Sequence, residues 1–140
     1  MKRPEKEEAM RWFTHAKDEF IDADELRKRG RFYLALFHFQ QSVEKAIKAF
    51  LYLNVKSIEV FYTHSINDLI KIAIDIDTEF NKVVSVKKLD QYYIPTRYPN
   101  GLPGGIPSRF YDDPKEAEDA MILAKKAIEL IEKKINLELE

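Results

Sequence analysis

The chain contains no cysteine. That excludes a disulfide framework, a thiol nucleophile and any metal site built on thiolates. It has no apolar run approaching the ~18 residues a membrane-spanning helix needs. It has no excess of one charge: 23 basic residues stand against 24 acidic ones, a net charge of -1. A protein that is polybasic throughout is thereby excluded, although a local basic patch remains open. The opening residues, MKRPEKEEAM, are charged and lack an apolar stretch, so no secretory signal and a cytoplasmic location are expected. Glycine and proline are also scarce. Four Gly and six Pro make ten of 140 residues, against a usual share of roughly 12%. This excludes a turn-rich β sandwich or barrel, a collagen-like chain and a glycine-rich linker. Seven of the ten fall between Pro95 and Pro107. The remainder is almost free of helix breakers, so long helices plus one irregular segment are expected.

What is present supports this. Ala9, Phe13, Ala16, Phe20 and Ala23 recur at helical spacing, with Trp12 beside them, between Pro4 and Gly30. The expected helix runs from about 5 to 29. Phe32 to Asn54 reads as a second helix, apolar over most of its girth, with Asn54 as a left-handed terminator. Thr63-His64-Ser65 precedes an i, i+3, i+4, i+7 run from Ile66 to Ile76 and marks a third helix start. A less regular segment follows from Phe80 to Tyr93, with Val83, Val86 and Leu89 at compatible spacing. Asp113-Pro114-Lys115-Glu116 opens the last helix with an N-cap, a first-turn proline and a Glu three residues after the cap. The fold class is all-α: an up-and-down bundle of four to five helices, with one long Pro/Gly-rich loop before the last helix. The length suits one domain, residues 1–140.

Three places carry candidate chemistry. The loop Ile94–Asp113 is too long to be a mere connection. Its prolines recur every four residues, which reads as extended chain with turns, anchored by Tyr98, Leu102, Ile106, Phe110 and Tyr111. Its Arg97 and Arg109, glycines and tyrosines suit a phosphate or base contact: Arg forks phosphate oxygens and Tyr offers a stacking face. The blander reading is a surface loop pinned by aromatic packing. On the second helix Gln41, Glu44, Lys45 and Lys48 sit at i, i+3, i+4 and i+7 and line one side. Glu44 and Lys48 are also an ordinary i, i+4 pair, which reads as a solvated face. His64, just before the third helix, is either a packing residue or a phosphate or proton-transfer group. Three scattered histidines without short ligand spacing give no zinc site, and neither a metal nor a cofactor is expected.

GRFYLALFHFQQSVEKAIKAFL (Gly30–Leu51), then THSINDL (Thr63–Leu69), YYIPTRYP (Tyr92–Pro99) and a helix with AEDAMILAKKAI together resemble a HEPN domain, the higher eukaryotes and prokaryotes nucleotide-binding family. Trp12 and Ala16 fit the same pattern, and the resemblance spans about residues 7 to 135. It implies a helical bundle, often a homodimer, in a prokaryotic protein. Many such proteins act beside a minimal nucleotidyltransferase in a toxin–antitoxin pair. Other members are metal-independent ribonucleases with an Arg, four to six residues, then a His. Here no His follows Arg97, or occurs anywhere after His64. Arg31 and His38 match the spacing only formally, in the wrong helix.

Three functions follow. The first is a non-catalytic module in which Lys45, Lys48, His64 and Arg97 hold a nucleotide or RNA phosphate. Gln41 and Glu44 would orient those groups and Tyr98 would stack on a base. The second is a degenerate ribonuclease using His64 or His38, and the third a structural dimer that scaffolds its partner. The missing histidine weighs toward the first.

Overall fold

A computed structural model describes residues 4–55 and 61–140. Helix α1 spans Pro4–Lys28, α2 Phe32–Asn54, α3 Ile66–Ile76, a short α4 Pro107–Phe110 and α5 Pro114–Leu139. A 3-10 segment, Thr78–Tyr92, follows α3, and one 3-10 turn covers Pro99–Gly101. The described residues contain no strand. The protein is an all-helical bundle.

Gly30 stands in the turn after α1 at φ +76°, where any side chain would be strained. The chain then reverses, and α1 and α2 pack antiparallel. Phe20 meets Phe39 while Trp12 meets Tyr52, the partners moving in opposite directions along the two helices. Helix α2 is the central element. Leu36, Phe39, Val43, Ala46, Ile47, Phe50 and Leu51 are all buried, on more than one face. Helix α5 closes the core through Ala117, Ala120, Ala124, Ala127, Ile128, Ile131 and Ile135. The alanines early in that stripe allow close approach.

Asn54 does not terminate α2 in the left-handed region. No residue but glycine has positive φ among the described residues, and the cap is Val55 in extended conformation. Asn54 instead turns its amide to the Phe50 carbonyl at 2.9 Å and to Glu138 at 3.2 Å, tying α2 to the end of α5.

The segment expected from Phe80 to Tyr93 starts two residues earlier and is 3-10 rather than α, with a kink at Val83 (φ -121°, ψ 18°). Its buried residues are Phe80, Val83, Val86, Leu89 and Tyr92, a strict period of three. A helix of three residues per turn stacks such positions on one face, whereas an α-helix would fan them around its axis. Tyr92, not Tyr93, therefore points inward.

Asp113 caps α5 as expected, accepting from Lys115 N at 2.9 Å. Glu116 does not complete a capping box. It accepts a 2.7 Å hydrogen bond from the Tyr92 hydroxyl. Burial, then the Glu116 carboxylate, push the Tyr92 phenol well above its ordinary pKa.

The loop is more folded than an extended chain, holding both the 3-10 turn and α4. Of its apolar anchors only Tyr111 is buried and Leu102 partly so, whereas Tyr98, Ile106 and Phe110 are about half exposed. Thr96 is buried and hydrogen-bonds the Tyr92 carbonyl. Gly101 lies so close to the chain that an added Cβ would meet Pro95 Cα at 3.0 Å. These contacts pin the base of the loop, and with it Arg97.

Candidate functional site

The polar side of α2 is not a solvated face. Glu44 and Lys48 are 3% and 2% exposed, and their charged ends meet at 3.0 Å. Lys48 also donates to the Phe61 carbonyl at 3.1 Å and sits 5.8 Å from the centre of the Trp12 ring. A buried pair of this kind costs desolvation and persists only when its remaining hydrogen bonds are satisfied.

Glu44 has a second client. Its Oε2 lies 3.2 Å from His64 Nδ1. A carboxylate only accepts, so Nδ1 carries the proton and Nε2 is left as the ring nitrogen free for other chemistry. Gln41 donates to Glu44 Oε1 at 3.4 Å and to Gln40 Oε1 at 2.8 Å. Gln40, fully buried, donates to the His64 carbonyl at 3.0 Å and to Asp90 at 3.3 Å. Asp90 in turn accepts from Ile66 N (2.8 Å) and Asn67 N (2.9 Å), the first amides of α3, while Ser65 caps the same helix through Asp68 N. His64 is thus held on both sides: by Glu44 at its ring and by Gln40 at its backbone.

The ring of His64 stacks on Tyr93, 5.1 Å between centroids at 18°. Over the same Tyr93 lies the Arg97 guanidinium, 4.5 Å from the ring centre, and it also lies 4.9 Å from Phe37 and 5.0 Å from Tyr98. Arg97 Nε donates to the Tyr93 carbonyl at 2.9 Å. Its two terminal nitrogens have no partner among the described residues. Of the residues expected from sequence, Gln41, Glu44, Lys48, His64, Arg97 and Tyr98 therefore form one connected group. Tyr93 and Phe37 complete it.

Lys45 goes elsewhere. It donates to Glu19 at 2.5 Å and touches His15 Nε2 at 3.2 Å. Glu19 also holds His38 Nδ1 at 2.7 Å. A second carboxylate thus gathers one histidine and one lysine, as Glu44 does. Burial alone would raise the Glu19 pKa, but hydrogen bonds from His38 and Lys45 outweigh it and hold the carboxyl below its ordinary 4.5. A lowered folded-state value stabilises the fold above pH 4.5, and that contribution is lost as pH falls toward the folded value. Glu19→Gln is accordingly expected to melt below the wild type at pH 7, with the gap closing as acid is added below pH 4.5. A gap that stays constant in thermal melts from about pH 7 to about pH 3 would contradict this.

Arg31, with six residues between it and His38, contacts Tyr33 and, among the described residues, neither His38 nor the loop. Among the described residues no group of three His, Cys, Asp or Glu is arranged to hold a metal ion. No described helix is long and apolar enough to cross a membrane.

The chain belongs to the HEPN domain family, whose sequence profile matches residues 9–134. It is similar to the crystal structure of TT1696 from Thermus thermophilus, at 33% identity and a TM-score of 0.77, over 90% of this chain and 97% of that one. It is also similar to ST0689, an archaeal HEPN homologue, at 25% identity and a TM-score of 0.72, over 96% of this chain and 99% of that one. No protein of curated function matches the chain.

Proposed function

We propose that this protein binds a nucleotide or RNA phosphate on the His64–Tyr93–Arg97 surface without turning it over. We propose further that it acts as a homodimer beside a minimal nucleotidyltransferase, in a toxin–antitoxin pair. The observation that carries the binding reading is Arg97. Its guanidinium is exposed, oriented by the Tyr93 carbonyl and framed by three aromatic rings, with both terminal nitrogens unpaired among the described residues. That is a fork for phosphate oxygens beside faces for a base. In its doubly protonated form His64 adds a second donor next to it, through Nε2. Lys48 serves by holding Glu44, which aims His64, rather than as a free cation. Lys45, neutralised by Glu19, stands apart from this surface. Membership of the HEPN family is what supports the partner and the dimer.

Fluorescence anisotropy with a labelled oligoadenylate tests the binding reading. Arg97→Ala is expected to weaken binding at least about tenfold, the worth of one charge-assisted contact. Affinity unchanged by Arg97→Ala would discard the site. Co-purification with a nucleotidyltransferase encoded next door tests the partner.

One observation favours a second reading, a degenerate ribonuclease. His64 Nδ1 is bound by Glu44, an arrangement that leaves Nε2 to act as a base. It would take the proton of a ribose 2'-hydroxyl as that oxygen bonds to phosphorus. The phosphorus–O5' bond breaks, water protonates the leaving oxygen, and Arg97 neutralises the phosphorane. Cleavage that survives chelator and vanishes in His64→Ala would select this reading over the first.

A further inference from the structure

Glu44 and Lys48 are the least exposed ion pair among the described residues. Replacing such a pair with apolar side chains is often neutral or stabilising, so stability alone does not account for it. Its link to the surface is His64. That side chain is 55% exposed, and its Nδ1 lies 3.2 Å from Glu44 Oε2. The same oxygen accepts from Lys48 Nζ at 3.0 Å. An imidazole and an ammonium thus share one carboxylate oxygen.

The charges around the ring come from several elements. On α2, Glu44 alone at this distance would hold the ring as imidazolium, and an ammonium alone would drive the proton off. Glu44 and Lys48 together are neutral, so neither pull acts unopposed. In the 3-10 segment, Asp90 is engaged by the Ile66 and Asn67 amides. On α3, Asp68 accepts from the Thr63 hydroxyl at 3.3 Å. Arg97 is the charge on the ligand side. It lies over Tyr93, the ring on which His64 also stacks, and it opposes a second positive charge there.

An anion changes this balance. A phosphate held by Arg97 cancels the guanidinium charge and offers His64 Nε2 an acceptor. With Nδ1–H already donated to Glu44, Nε2 donates only when the ring is doubly protonated.

We infer that phosphate binding at this surface takes up a proton on His64, so that affinity is switched by pH, and that the buried Glu44–Lys48 pair sets where the switch falls. This rests on the phosphate reading of Arg97 and adds the regulation of that site. Histidine is the side chain that ordinarily changes charge between about pH 5 and 8. Affinity is highest at the acid end of that range and falls as pH rises.

The probe is the dinucleoside phosphate ApA, titrated into the full protein. Its diester keeps one charge throughout, whereas a terminal phosphate would bring a proton of its own with a pKa of about 6. Calorimetric titration in buffers of different ionisation heat reads affinity and proton uptake together. Affinity is expected to be at least about fivefold higher at about pH 6 than at about pH 8, with net proton uptake in between. His64→Gln keeps a donor that does not titrate, and it is expected to bind with one affinity across the range. His15→Gln and His38→Gln change the other two histidines and are expected to keep the pH dependence. Lys48→Met leaves Glu44 unopposed and is expected to carry tight binding to higher pH. Glu44→Leu with Lys48→Met removes the acceptor of Nδ1–H and is expected to confine tight binding to lower pH. If Lys48→Met does not fold, the double variant still tests the pair.

A wild-type affinity that is flat or rises with pH, but is lost in Arg97→Ala, overturns the coupling and leaves the Arg97 site standing. A pH dependence that survives His64→Gln also overturns the coupling. A profile unmoved in the double variant overturns the role of the pair. If ApA does not bind the wild type at any pH, the Arg97 reading falls and the coupling with it.

Discussion

Glu44→Ala is expected to cost about 3–5 kcal/mol, the loss seen when one partner of a buried ion pair is removed. Lys48, 2% exposed, would be left with the Phe61 carbonyl at 3.1 Å and the Trp12 ring as its partners among the described residues. For a chain of this size that corresponds to a fall in melting temperature of roughly 10–15 °C. The effect comes from the stranded charge, not from the worth of the pair. Removing both charges together, as Glu44→Leu with Lys48→Met, is therefore expected to recover most of the loss. The same double variant should still lose ligand affinity, since His64 Nδ1 no longer has a carboxylate to hold it. Calorimetry separates the two effects. A Glu44→Ala protein that melts within a degree or two of the wild type would show that the pair is not buried as described.

Asp90→Ala is the second large effect, expected at about 3 kcal/mol. One carboxylate accepts two α3 amides at 2.8 and 2.9 Å, the Ser65 hydroxyl at 3.3 Å and the Gln40 amide at 3.3 Å. An N-cap alone is worth about 1–2 kcal/mol, and charge-assisted hydrogen bonds add to it. Without Asp90 the first turn of α3 has only Ser65, and the Gln40 amide keeps only the His64 carbonyl. Amide exchange should therefore accelerate at Ile66–Leu69 ahead of global unfolding. Asp90→Asn, which still accepts hydrogen bonds, should lose less. Unchanged protection in α3 would mean that Ser65 alone secures the helix.

Much of the architecture is written locally. The bounds of α2, the Ser65 and Asp113 caps and the Gly30 stop each follow from a few adjacent residues. The 3-10 segment is legible too, in the period-three spacing of Phe80, Val83, Val86, Leu89 and Tyr92, but an α-helical period absorbs three of those positions and sends attention to Tyr93. The candidate site divides along the same line. Glu44, Lys48, His64, Arg97 and Tyr98 stand at helical spacing or in a short motif. Glu19, Phe37, Asp90 and Tyr93 join only through folding: Gln40 and Asp90, for example, are 50 residues apart. One signal does exist for Glu19. It stands three residues after Ala16 and next to Phe20, inside the apolar stripe of α1, where an acid must be paired to be tolerated. Nothing local marks Lys45 as its partner, which is why spacing groups Lys45 with Lys48 and Arg97. The α2 polar face likewise looks solvated from spacing alone, because burial depends on α1 and on Phe61, distant in sequence.

The most direct test of phosphate recognition at this surface is a magnetic-resonance titration of labelled protein with a mononucleotide. The ring signals of His64 and Tyr93 and the Arg97 Nε–H signal should move together and saturate with one affinity. The signals around Lys134, which is bound to Asp77 and Glu79 at the far end of the 3-10 segment, should stay still. Shifts confined to other residues, with His64, Tyr93 and Arg97 unmoved, would contradict it.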